Sequence, residues 1–148
     1  MADSSKPSLL TGYGSLNLET ARKVAAGAAA EARKQGWNVA VSIVDAAGEL
    51  IYFERIDDTQ PGSVDISQAK ARTAARFKRA SKLFEDALAG GRQAILGMPG
   101  VLPLEGGVPL VVDGRIAGAI GVSGVTSQQD GVCAQAGVAT LAALVEGR

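Results

Sequence analysis

The residues of this chain that could do chemistry are few, and none of them is a histidine. Losing imidazole removes the usual general base near neutral pH and the commonest zinc ligand, and it excludes Ser-His-Asp and Cys-His nucleophiles. Acid–base work is left to carboxylates, lysine, tyrosine and one cysteine, Cys133. Lys70, with Thr73 close behind it, lies in a helical pattern. It is either a buried cation paired with Glu54 or Glu105, a base or Schiff-base former, or a snorkelling structural lysine. Glu54-Arg55-Ile56-Asp57-Asp58 gathers acids at the end of an apolar run. As a metal site it would suit only hard ions with oxygen ligands; otherwise it is a solvated rim or ion-pair network. Arg55, at a strand end, can hold a carboxylate in bidentate fashion. Arg115 is either exposed or an anion contact at a pocket mouth. Cys133, early in the last helix, either gains thiolate character from the helix dipole or is a small core residue.

Those side chains must be positioned by backbone, and residues 104–124 are the most informative stretch of it. Two apolar runs flank Asp113-Gly114, the strongest short-range signal for a hairpin, because both central residues of a type I′ turn need positive φ. Gly118, Gly121 and Gly124 give up packing within a strand, so a helix, a second subunit or a ligand must come close there. Their spacing is wrong for a dinucleotide fingerprint, and no βαβ unit surrounds them. Gly106-Gly107 ahead of Val108-Pro109 is either a nest of backbone N–H groups for an anion or a tight turn into an edge strand, where Pro109 is tolerated.

The rest of the chain reads as alternating helices and hairpins. Residues 18–34 have helical spacing, with Leu18 and five alanines on one face, Asn17 as N-cap and Gly36 at the C-terminal cap. Residues 39–45 and 49–55 form a hairpin around a turn at 46–48, and 56–62 is a loop. Asp65 to Gln68 resembles a capping box opening a helix that runs to about Lys78. A shorter helix covers 81–88, and a second capping-box pattern from Ser127 to Asp130 opens a final helix ending near Glu146. The order α-β-β-α-α-β-β-α implies an α+β fold with one antiparallel sheet covered by helices.

At 148 residues with zero formal net charge and 47% hydrophobic residues, the chain suits one domain at 16–148 behind a flexible tail at 1–15. It has no basic excess to attract nucleic acid, no apolar run of the ~20 residues a membrane span needs, and no signal-peptide pattern. A single cysteine fits a reducing compartment, and we expect a cytoplasmic protein.

Several segments together resemble a known family. They are Val41-Ser-Ile-Val-Asp-Ala-Ala-Gly48, Glu54-Arg-Ile-Asp57, Ser67-Gln-Ala-Lys-Ala-Arg-Thr-Ala74, Glu105-Gly-Gly-Val-Pro109, and Gly118-Ala-Ile-Gly-Val-Ser-Gly124 followed by Asp130. In this order they resemble the GlcG/HbpS-like group of haem-degrading-domain proteins, which includes the C-terminal domain of some cobalamin adenosyltransferases. The resemblance implies a profilin-like fold with about five antiparallel strands, the fifth lying within 92–103 or at an edge. It also implies homo-oligomers, from tetramers to octamers, and haem as a ligand of some relatives. Where a haem-binding relative supplies histidine this chain has none, so iron would have to take Tyr13, Tyr52, Cys133 or a hydroxyl such as that of Thr126.

Two functional readings follow. In the first the protein is a small-molecule-binding module for haem, another tetrapyrrole or a small aromatic. Its pocket is lined by Tyr52, Glu105, Gly106, Gly107, Pro109, Ser123 and Gly124, with Arg55, Thr73 and Arg115 as further ligand contacts. In the second it is a cofactor-independent isomerase, tautomerase or lyase acting on a small carboxylated metabolite. Lys70 or Glu54 would move the proton, Arg55 or Arg115 would hold the carboxylate, and the Gly107 N–H would stabilise an enolate. The family precedent favours the first.

Overall fold

The computed structural model describes residues 6–9 and 14–148, so most of the expected tail, and Tyr13, lie outside the described residues. The elements are α1 (Leu18–Gln35), β1 (Ala40–Asp45), β2 (Leu50–Arg55), α2 (Ser63–Arg76), α3 (Lys82–Ala89), β3 (Gly107–Val112), β4 (Arg115–Ser123) and α4 (Ser127–Glu146). This is the α+β order read from the sequence. The sheet is antiparallel, with strand order β2-β1-β4-β3. Among the described residues it has four strands rather than five. The 92–103 segment instead holds a 3-10 turn, Gln93–Gly97, and an irregular loop. Pro99 and Pro103 cannot donate to a ladder there. The loop is tied down by a side chain, the Leu102 N–H donating to the Thr73 hydroxyl at 2.9 Å.

Helices cover both faces. α1 and α4 close over Val39, Val41, Ile43, Leu110, Ile120 and Val122, while α2 lies on Val44 and Ala119 with Ala71, Ala74 and Ala75. α1 starts where expected: the Asn17 side chain accepts the Thr20 N–H at 2.8 Å, and Gly36 ends the helix at φ 78°. Its buried face is one residue different from the expected stripe. Val24 is in the core and Leu18, in the first turn, is exposed.

Two cap assignments shift. α2 begins at Ser63, so Asp65 lies in its first turn rather than capping it, and Gln68 donates to the Val64 carbonyl. α4 is capped by Thr126 and Gln129, one residue earlier than the pattern suggested. Thr126 and Gln129 supply a true hydroxyl–amide capping box, which frees Asp130 for another partner.

The closest backbone approach explains Gly121 of β4. A Cβ on Gly121 would run into the Ser67 carbonyl and the Ala71 amide of α2. The visitor at that position is therefore a helix. The Asp113-Gly114 turn takes φ values of 52° and 75°, as a type I′ turn requires.

Candidate functional site

α2 turns a polar stripe toward the sheet. Ser63, Ser67, Lys70 and Thr73 recur at helical spacing and are all buried. Each meets a partner: Ser63 with Ser123 (3.1 Å), Ser67 with Ser42 (2.8 Å) and Thr73 with the Ala69 carbonyl (2.8 Å). The Lys70 ammonium donates to Asp130 Oδ2 at 2.8 Å and to the Val122 carbonyl at 3.0 Å. Neither Glu54 nor Glu105 is its partner. Lys70 and Asp130 are both about 2% exposed. Asp130 also accepts the Val125 N–H at 3.1 Å, so one ion pair joins α2, the end of β4 and the first turn of α4. Burial holds the Asp130 carboxyl above its ordinary range, outweighing the pull of Lys70 and of the Val125 and Gly124 amides in the other direction.

Gly106 lies directly over this pair. It has φ 134°, and a Cβ there would strike the Val122 carbonyl and the Lys70 Cδ and Nζ. At Gly107 a Cβ would strike the Lys70 carbonyl. Only glycine fits either position. The outer side of these glycines faces a cleft of about 330 Å³ between β3, the start of α3 and α4, rimmed by Lys82, Glu105, Gln128, Val132 and Gln135. Glu105 lies over Gly131 of α4. Lys82 is bound to Asp86 at 2.7 Å, a hydrogen bond that holds its pKa above the ordinary lysine value.

The cleft thus brings together Glu105, Gly106 and Gly107, with Val108 beside them. Other expected residues lie elsewhere. Tyr52 and Glu54 pair with Ile43 and Val41, which puts them on the α1 face of the sheet, opposite Lys70. No proton can pass between Glu54 and Lys70 through the sheet. Arg55 is exposed at the end of edge strand β2, and Pro109 lies opposite Ala119 on the α2 face. Thr73 and Ser123 are buried in structural hydrogen bonds. Gly124 packs on the Asn38 carbonyl. Arg115 lies at the far end of the β3–β4 hairpin from Gly107, about 17 Å away at the usual strand rise. The Gly107 N–H donates to the Ser81 hydroxyl at 2.9 Å, so it is not free to hold an enolate. Cys133 is in the core, and burial pushes its thiol up to about 11 against any help from the helix dipole.

Asp130, Ser81, Lys82, Gln128 and Gln135 are site residues that the sequence reading lacks. Asp130 had a visible signal, a carboxylate in a capping-box pattern that α4 turned out not to need. The others are ordinary surface types whose convergence comes only from the fold.

The family model for haem-degrading HbpS-like proteins matches residues 16–139. This chain belongs to the HbpS-like family. It is 44% identical over 108 residues to Protein GlcG of Escherichia coli K12, covering 73% of this chain and 81% of that protein. A crystal structure of a Streptomyces reticuli HbpS double mutant superposes with TM-score 0.83 at 32% identity, covering 95% of this chain and 97% of that one. A crystal structure of a PduOC:heme complex superposes with TM-score 0.76 at 30% identity, covering 85% of this chain and 94% of that one.

The haem of the PduOC complex can be tested against the donors present here. Cys133 is sealed in the core with its proton held, and the Thr126 hydroxyl is committed to the Gln129 amide. Tyr52 is half-buried against the core on edge strand β2, at the opposite edge of the sheet from the glycine cleft beside β3. The cleft itself offers an amine already paired, a carboxylate and amides. Among the described residues of one subunit, this set does not fit axial iron ligation at the cleft.

Proposed function

We propose that this HbpS-like chain is a small-molecule-binding module whose ligand occupies the cleft formed by Glu105, Gly106 and Gly107 against α4. One observation carries the reading. Two glycines that tolerate no side chain floor an open cleft, and the charged pair beneath them is fully engaged and out of solvent's reach. The cleft can hold a ligand by backbone and rim contacts, and no proton carrier faces it in the arrangement that the enzymatic reading requires.

Haem or another tetrapyrrole is the ligand class supported by the haem-bound neighbour, held through its ring and carboxylates without an iron ligand from these side chains. At about 330 Å³ the cleft is near the lower end of the ~300–1,000 Å³ usual for ligand pockets, so one subunit grips part of such a molecule. The reading therefore includes a homo-oligomer, tetramer to octamer. It also includes cytoplasmic residence; no helix among the described residues is long and apolar enough to cross a membrane.

Titration with hemin and with metal-free protoporphyrin IX, followed in the Soret band, tests this. Both should bind saturably with affinities within about threefold, under about 1 kcal/mol apart. No saturable change with either would sink the tetrapyrrole reading. Hemin binding more than about tenfold tighter, a difference of about 1.4 kcal/mol, would show that a protein ligand reaches the iron.

A further inference from the structure

A second cleft lies at the other end of the sheet, where α2 ends beside the β3–β4 turn. Its volume is about 530 Å³, and its described lining is Gly14, Ala46, Ala75, Lys78, Gly114, Arg115 and Ile116. Two cations and no acid line it. Arg115 is the first residue of β4, set by the type I′ turn before it, and Lys78 follows the last turn of α2 in the left-handed region at φ 55°. A lysine pays about 1 kcal/mol to stand where glycine is favoured.

The neighbouring charges are already committed. Asp113 is bound in bidentate fashion by Arg148, Glu49 is paired with Arg76, and Asp45 accepts the Ala47 and Glu49 amides. Two of the last four carbonyls of α2 are engaged as well, Thr73 by the Phe77 amide and Ala74 by the Arg79 amide. Lys78 and Arg115 have no hydrogen-bond or ion-pair partner among the described residues. Small residues around them leave room for a ligand to approach the backbone.

We propose that this cleft is an anion site for a small dianion, a phosphate group or a dicarboxylate, held by the Arg115 guanidinium fork and the Lys78 ammonium. The guanidinium matches either oxyanion in bidentate geometry, and two uncommitted cations match two negative charges. The site is separate from the glycine cleft, so its existence does not depend on what binds there.

Equilibrium dialysis of the full chain against radiolabelled inorganic phosphate and, separately, radiolabelled succinate tests it, with ionic strength fixed by sodium chloride. At least one anion should bind saturably at one site per chain. Affinity should fall at least about tenfold in Arg115→Met and in Lys78→Met, both exposed positions whose loss leaves the fold intact. Binding of phosphate alone identifies a phosphate-bearing ligand, and binding of succinate alone a dicarboxylate. Absence of saturable binding for both, or unchanged binding in the two variants, overturns the proposal.

Discussion

Removing the Asp130 carboxylate tests the account of the ion pair beneath the glycines. In Asp130→Ala the Lys70 ammonium keeps the Val122 carbonyl as its one remaining acceptor, in a site about 2% exposed. Breaking a buried pair by deleting one partner typically costs about 3–5 kcal/mol. That is a large share of the ~5–15 kcal/mol that holds a domain folded. With a urea slope of ~1–3 kcal/mol/M, the unfolding midpoint should fall by roughly 1 M or more. The Lys70→Met/Asp130→Leu double variant separates charge from packing. It replaces the pair with apolar groups of similar volume and should recover most of the loss, because the burial that raises the Asp130 pKa shows how costly its charge is here. The same shift has a definite sign with pH. A carboxyl bound to its proton more tightly in the folded than in the unfolded state adds stability below its ordinary value of 3.8, and that stability is lost as pH rises through the folded value. Wild type should therefore lose stability relative to Asp130→Asn as pH rises through that window. If Asp130→Ala shifted the midpoint by less than the equivalent of about 1 kcal/mol, Lys70 would not be the isolated buried cation described here.

Three further outcomes follow from local geometry. Gly121→Ala drives a methyl into the Ser67 carbonyl and Ala71 amide of α2, and should cost at least about 1–3 kcal/mol in chemical denaturation; a change below about 0.5 kcal/mol would mean that α2 can lift off the sheet freely. Asn17→Ala should cost about 1 kcal/mol through loss of the cap on Thr20, read by the same assay. Cys133, with its thiol pushed up to about 11 and no exposed surface, should react with a thiol reagent at pH 8 at least roughly a hundredfold more slowly than a free cysteine; a rate near that of free cysteine would contradict its burial.

Local signals made the scaffold readable. Asn17 and Gly36 bounded α1, Asp113-Gly114 marked the hairpin, and alternating apolar residues gave the strands. The expected fifth strand failed because Pro99 and Pro103 withhold donors from any ladder in residues 92–103, and the loop is tied instead to a distant hydroxyl, that of Thr73. The cap of α4 was misplaced by one residue for a related reason. Asp130 fits a capping box by type, but the cation that claims it is sixty residues away in sequence. The glycine cleft was legible in part, since Glu105, Gly106 and Gly107 are contiguous. Lys82, Gln128 and Gln135 reach it from two helices whose placement is tertiary. Glu54 and Lys70 look like a catalytic couple in one dimension, and sheet register puts them on opposite faces.

Whether a ligand occupies the glycine cleft is decided by Val132→Trp. Val132 is 45% exposed on the cleft rim, so a bulkier side chain there fills the cleft without entering the core. Titration of hemin into wild type and variant, with urea unfolding as the control for folding, is the measurement. Hemin should bind the variant at least about tenfold more weakly, by about 1.4 kcal/mol, at an unchanged unfolding midpoint. Equal affinity in the two proteins would contradict it and move the site elsewhere.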